Sequence, residues 1–160
     1  MSGGMELYLH MPFCVRKCAY CDFLSFPSGA ETQRMYAKRL MEDIDVMGKR
    51  YGEIPVETIF IGGGTPSVPD SGLIVEIMEH VRHAFHVADG AEISMEANPG
   101  TVTREKLTDY RKAGINRLSF GLQSANDREL KLLGRIHTWA EFLESFTLAR
   151  ECGFANLNID

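Results

Sequence analysis

Five short, β-branched or apolar runs alternate with amphipathic stretches of helical period, and this alternation constrains the chain more than any other feature. Glu6 to Met11 reads as a first strand, Val56 to Ile61 as a second, Ala91 to Ala97 as a third, Arg117 to Phe120 as a fourth and Asn156 to Asp160 as a fifth. Between them lie helices over Glu31 to Tyr51, with Met35, Leu40, Ile44 and Met47 as the apolar stripe, and over Asp70 to Phe85, with Leu73, Ile77, Val81 and Phe85. Thr103 caps a third helix that Gly114 stops, a short helix starts near Asn126, and Thr138 with Glu141 forms a capping box for a last helix ended by Gly153. Strands separated by helical crossovers run parallel, so the fold class is α/β, either doubly wound or part of a barrel. In both architectures the chemistry gathers at the C-terminal ends of the strands.

Three cysteines follow the first strand in the spacing C-x3-C-x2-C: Cys14, Cys18 and Cys21. Three thiolates so close together can hold three corners of an iron-sulfur cube, and with no fourth cysteine nearby one iron stays open for another ligand. Two plainer readings stand beside this one. The triplet could be half of a zinc site completed by His10, or a set of redox thiols. Zinc knuckles come in pairs, whereas the remaining cysteine, Cys152, has no ligand beside it and reads as a small core residue. Structural disulfides need an oxidising compartment, yet Met1 to Leu9 lacks the apolar run of a secretory leader.

The second strand ends in Gly62-Gly63-Gly64-Thr65-Pro66, which lacks the lysine of a phosphate-binding P-loop and the spacing of a dinucleotide fingerprint. Such a run lets backbone come close to a ligand, and it equally suits a tight turn. With 160 residues, 44% of them hydrophobic, the chain can bury a core, and no apolar run approaches a membrane span. A net charge of -5 with scattered Lys and Arg speaks against a nucleic-acid partner, and Arg16-Lys17 reads as a solvated loop tip. His80, His83 and His86 wind around a helix and cannot share one metal ion; most methionines are core filler, and Trp139 packs behind its helix cap.

The cysteine spacing, with aromatic Tyr20 before the third cysteine, resembles the signature of the radical S-adenosylmethionine (SAM) enzymes. Further segments narrow the resemblance to the family of oxygen-independent coproporphyrinogen III oxidases and haem chaperones: Tyr8-Leu9-His10-Met11-Pro12-Phe13-Cys14, Ile61 to Ser67, Glu96-Ala97-Asn98-Pro99, Arg117 to Ser124, Leu133 to His137 and Asn158-Ile159-Asp160. The resemblance implies a partial (β/α) TIM-like barrel, residues 1–160 being its N-terminal, cofactor-binding part and ending after about strand five. It implies a [4Fe-4S] cluster on Cys14, Cys18 and Cys21, whose open iron binds SAM and whose electron cleaves it to methionine and a 5′-deoxyadenosyl radical. By the same resemblance Tyr8, Tyr20, Gly63, Gly64, Thr65, Glu96, Gln123, Arg135 and Asp160 contact SAM.

Where the oxidases carry a fourth cysteine, this chain has Phe23, which is the haem chaperone pattern, and the segment around Arg135 follows the same branch. The resemblance therefore implies a cytoplasmic, haem chaperone-like protein, with haem bound in a longer parent. Its implied partners are SAM, haem or porphyrinogen, an electron donor such as a flavodoxin or ferredoxin, and an apo-haemoprotein acceptor. The rival functions are the oxidase itself and, from another class, a zinc-stabilised structural domain. On this reading the scaffold can cleave SAM, while its branch acts as a chaperone rather than as an oxidase.

Overall fold

A computed structural model describes residues 3–160; Met1 and Ser2, which begin the leader argument, lie outside the described residues. Strands β1 (Met5–Met11), β2 (Val56–Gly63), β3 (Val87–Ala97), β4 (Arg117–Phe120) and β5 (Asn156–Ile159) form one sheet. Its order is β1-β2-β3-β4-β5 and every neighbouring pair is parallel. That order decides between the two architectures left open above. Right-handed crossovers that always step the same way place all helices on one face, as in a barrel wall, whereas a doubly wound sheet must reverse its order.

The faces of the sheet differ accordingly. Leu9, Met11, Ile59, Ile61, Ile93, Met95, Leu118 and Phe120 are buried in one core with residues of the helices α1 (Ala30–Tyr51), α2 (Ser71–Ala84), α3 (Arg104–Lys112) and α5 (Trp139–Glu151). Each such side chain contributes roughly 1.5–3 kcal/mol when fully buried. The alternate positions Tyr8, His10, Glu96, Asn158 and Asp160 lie on the other face, where a barrel has its interior, and are more open.

Three expectations shift. In α1 the buried residues are Gln33, Ala37 and Ile44, while Met35 and Met47 are exposed. Near its C-terminal end α1 approaches α2 closely, since a Cβ on Gly48 would stand 2.5 Å from that of Ala84. β3 begins at Val87, four residues before the propensity-based start, because Val87 pairs with Val56 across a register shift. Tertiary pairing overrides the weak strand preference of Ala88-Asp89-Gly90. Finally, α2 ends before His86, and its His80 pairs with Asp45 on α1 through Nδ1 at 3.0 Å.

The expected caps form. Thr103 and Asn126 cap α3 and α4 (Asp127–Leu132), and Thr138 with Glu141 makes the full capping box of α5. Trp139 stacks on Phe142, and Cys152 packs half-buried against the core.

Candidate functional site

The loop between β1 and α1 carries the three cysteines, and its ends are tied together. Cys14 N donates to Phe26 O at 3.2 Å and Phe26 N to Pro12 O at 2.9 Å, so residues 15–25 form an excursion over the strand ends. The end of β2 supports it: Gly64 N donates to Met11 O at 2.8 Å and Thr65 N to Phe13 O at 2.6 Å. Ala19 N reaches Leu133 O at 3.2 Å, which joins the loop to the segment after α4.

This close approach explains the glycine run. A Cβ on Gly63, whose φ is +115°, would lie 2.4 Å from the His10 ring, and one on Gly64 would lie 2.7 Å from the Phe13 carbonyl oxygen. The glycines are thus required by the protein's own packing before any ligand is considered. The N–H groups of Gly63, Gly64 and Thr65 are all engaged, the first by Glu96 Oε2 at 3.0 Å. What this corner offers a ligand is acceptors, which suit an ammonium group.

Cys14, Cys18, Cys21, Tyr20, Gly63, Gly64, Thr65, Glu96, Gln123, Arg135 and Asp160 line one cleft at the C-terminal ends of the strands. Of the residues that the resemblance assigns to the cluster and SAM, Tyr8 is the exception. It stands outside the lining, stacked on Phe60, with its hydroxyl 2.9 Å from His10 Nδ1. His10 Nε2 lies 3.0 Å from Leu24 O; a carbonyl only accepts, so Nε2 donates there, while Nδ1 faces the Tyr8 hydroxyl. With both nitrogens engaged, His10 latches the cysteine loop rather than completing a zinc site.

Gln123 has φ +72°, alone among the described non-glycine residues in this region, and its N–H donates to Asp160 O at 2.7 Å. Held strain of this kind gathers at functional sites. Burial pushes the Glu96 carboxyl above the usual glutamate range; the Gly63 N–H opposes this, Asp160 adds to it, and His10 opposes it. The Tyr20 phenol is also raised by burial, with the Arg135 charge pulling the other way.

The Arg135 guanidinium is held by several partners at once. Nη1 donates to Cys18 Sγ at 3.5 Å, Nη2 donates to Asn98 Oδ1 at 2.7 Å and to Gly121 O, and Nε is buried without a partner among the described residues. The segment around it is anchored by buried His137, which bonds Leu122 O through Nε2 at 3.2 Å. Burial, then the Arg135 charge, lowers the pKa of that imidazole and keeps it neutral.

The residues fit a three-cysteine cluster. Donors point at two of the sulfurs, since Thr65 Oγ1 lies 3.6 Å from Cys14 Sγ and Arg135 serves Cys18. The cations of Arg16, Lys17 and Arg135 line the same cleft, and a cluster on three thiolates is anionic. Among the described residues no three Cys, His, Asp or Glu side chains converge on a point where a single metal ion could sit. Sequence reasoning missed Asn98, Ser119 and Gly121 and read Arg16-Lys17 as bystanders, yet all line the cleft. Their signal was available: Asn98 stands two residues beyond Glu96, and Ser119 two before Gly121, continuing the period of the inner face past the strand ends.

A profile of the radical SAM superfamily matches residues 8–160. The chain is 42% identical over 157 residues to the heme chaperone HemW of Escherichia coli (strain K12), which covers 98% of this chain and 42% of that protein. It is 33% identical over 159 residues to the bovine "Radical S-adenosyl methionine domain-containing protein 1, mitochondrial", over 99% of this chain and 36% of that protein. Among solved structures it resembles the Escherichia coli coproporphyrinogen III oxidase (HemN), described as a radical SAM enzyme, with a TM-score of 0.88 and 29% identity, covering 98% of this chain and 36% of that one. The chain thus spans about two fifths of the length of these relatives. None of its helices is long and apolar enough to cross a membrane.

Proposed function

The chain belongs to the radical SAM superfamily, and on that premise we propose that it forms the cofactor-binding part of a haem chaperone-like protein. The observation that carries this reading is the convergence of Cys14, Cys18 and Cys21 with Glu96, Gln123, Arg135 and Asp160 around one cleft. The three cysteines would hold a [4Fe-4S] cluster, with SAM on its open iron. When bound, the cluster supplies the single electron that breaks a carbon-sulfur bond of SAM. The chain's own residues orient the ligand. Glu96 and Asp160 accept from the amine or the ribose hydroxyls, Gln123 donates and accepts, Tyr20 borders the cleft, and Arg135 offsets negative charge beside Cys18.

The similarity to HemW supports haem binding and transfer to an apo-haemoprotein by a chain of the relatives' full length. Phe23 supports the same branch: it borders the cleft with an apolar ring, where a thiol would mark the oxidase. Reduced cysteines suit a reducing compartment such as the cytoplasm, and electrons would come from a small donor of the flavodoxin or ferredoxin kind.

Iron and sulfide analysis after anaerobic reconstitution is the first test. About four irons per chain are expected; zinc in their place would return the structural-domain reading. A second reading, the oxidase, is favoured by the TM-score of 0.88 to HemN. Anaerobic assay of the full-length chain with coproporphyrinogen III, SAM and a reductant separates the two. Multiple-turnover formation of protoporphyrinogen would establish the oxidase, and haem transfer without it would establish the chaperone.

A further inference from the structure

Asn98 stands just past the end of β3, and its side chain meets Thr65, which reaches Cys14 Sγ, and Arg135, which reaches Cys18 Sγ. Its amide orientation is dictated by chemistry. Arg135 Nη2 has protons only to give, so the atom 2.7 Å from it is the carbonyl Oδ1, and Nδ2 therefore faces Thr65 Oγ1 at 2.9 Å. Because Nδ2 donates, Thr65 Oγ1 accepts there and keeps its own proton for another partner. Cys14 Sγ, 3.6 Å away, is its other hydrogen-bond neighbour among the described residues, and as a cluster-bound thiolate it has no proton to give, so Thr65 donates. One amide thus sets the direction of a chain from Asn98 through Thr65 to the Cys14 sulfur, and with its other end steadies the guanidinium that donates to Cys18 Sγ.

The backbone of Asn98 is locked by a ring of hydrogen bonds whose direction is equally determined. Its N–H donates to Ser67 Oγ at 3.2 Å, Ser67 donates to Thr101 Oγ1 at 2.6 Å, and the Thr101 hydroxyl donates to the Asn98 carbonyl at 2.7 Å. Ser67 is fully buried, so water does not compete for the ring.

We propose that Asn98 is a positioning residue that aims hydrogen-bond donors at two of the three cluster sulfurs and thereby sets the cluster's reduction potential. Reduction adds negative charge that spreads onto the sulfurs, and a donor aimed at a sulfur stabilises the reduced form more than the oxidised one. The inference rests on the cluster reading given above.

The test is a redox titration of the reconstituted chain, followed by the electron-spin signal of the reduced cluster. Thr65→Val should shift the midpoint potential to more negative values, while Thr65→Ser, which keeps the hydroxyl, should restore the wild-type value. Asn98→Asp should also shift it negative, because a carboxylate accepts from Thr65 and turns the hydroxyl away from Cys14. The added charge acts in any background, but the turned hydroxyl does not. The shift caused by Asn98→Asp should therefore shrink by about half or more when Thr65→Val is already present.

A Thr65→Val chain that loses its cluster while Thr65→Ser loads normally supports the same assignment. Loss of the cluster from both, equal potentials in wild type and Thr65→Val, or additive shifts in the double variant would overturn it. A wild-type chain that takes up no iron overturns the cluster reading instead, and the inference with it.

Discussion

The backbone N–H of Gly63 donates to Glu96 Oε2 at 3.0 Å, joining the end of β2 to the end of β3 across the cleft. Glu96 is half-buried on the sheet face that carries no helices, with Asp160 and His10 as the charged or titratable groups that influence it. Its raised pKa makes stability depend on pH. A carboxyl whose folded pKa lies above its unfolded value binds its proton more readily when folded, so its contribution is greatest below the ordinary glutamate pKa and declines as pH rises through the folded pKa. Glu96→Gln mimics the protonated form. It should match wild type near about pH 4 and be the more stable near about pH 7 in urea denaturation of the cluster-free chain. An equal difference at both pH values would refute the assignment.

Replacing Cys14, Cys18 or Cys21 with Ala should abolish iron uptake and the accompanying visible absorbance after reconstitution. Cys152→Ala should leave both unchanged, because Cys152 caps the C-terminal end of α5, half-buried against the core and outside the lining of the cleft. Equal loss from the Cys152 change would sink the assignment of the triplet.

Gly63→Ala should destabilise even the cluster-free chain, by about 1–3 kcal/mol, since its φ of +115° disfavours any side chain. The contact part of the loss comes from the His10 ring at 2.4 Å, so adding His10→Ala should recover some of it and leave the backbone part. Thermal denaturation of the two variants checks this. A Gly63→Ala chain as stable as wild type, but unable to bind SAM, would return the glycine to a purely ligand-contacting role.

Tyr110 is fully buried, and its hydroxyl has no partner among the described residues. Burial, with Asp70 and Asp109 adding to it, pushes the phenol far above its ordinary pKa, so it stays neutral. Tyr110→Phe removes an unsatisfied polar atom and should be neutral or stabilising by up to about 1 kcal/mol. A loss larger than that in urea denaturation would reveal a partner for the hydroxyl.

The residues of the cleft divide by how far their roles are local. Cys14, Cys18 and Cys21 could be read because their spacing within one loop is itself the chemical statement. The strand ends could be read because alternation of apolar runs and helical stripes forces parallel strands. Glu96 and Asp160 were legible as acceptors at those ends. The sequence also suggested a ligand role for the glycine run, but a Cβ there would strike His10 and Phe13, contacts made only when β1 and β2 lie side by side.

By itself the sequence determined the number, type and order of the elements and the identity of the cysteine loop, since these rest on period, capping and spacing within short segments. Only the tertiary structure decided that the sheet order is sequential, with its helices on one face, and that α1 turns Ala37 inward and Met35 outward. It alone brought Asn98 between Thr65 and Arg135, 33 and 37 residues apart from it, and left Tyr8 outside the cleft. The direction of a hydrogen bond depends on which donors and acceptors meet, and residues from four strand ends meet only after the sheet has formed.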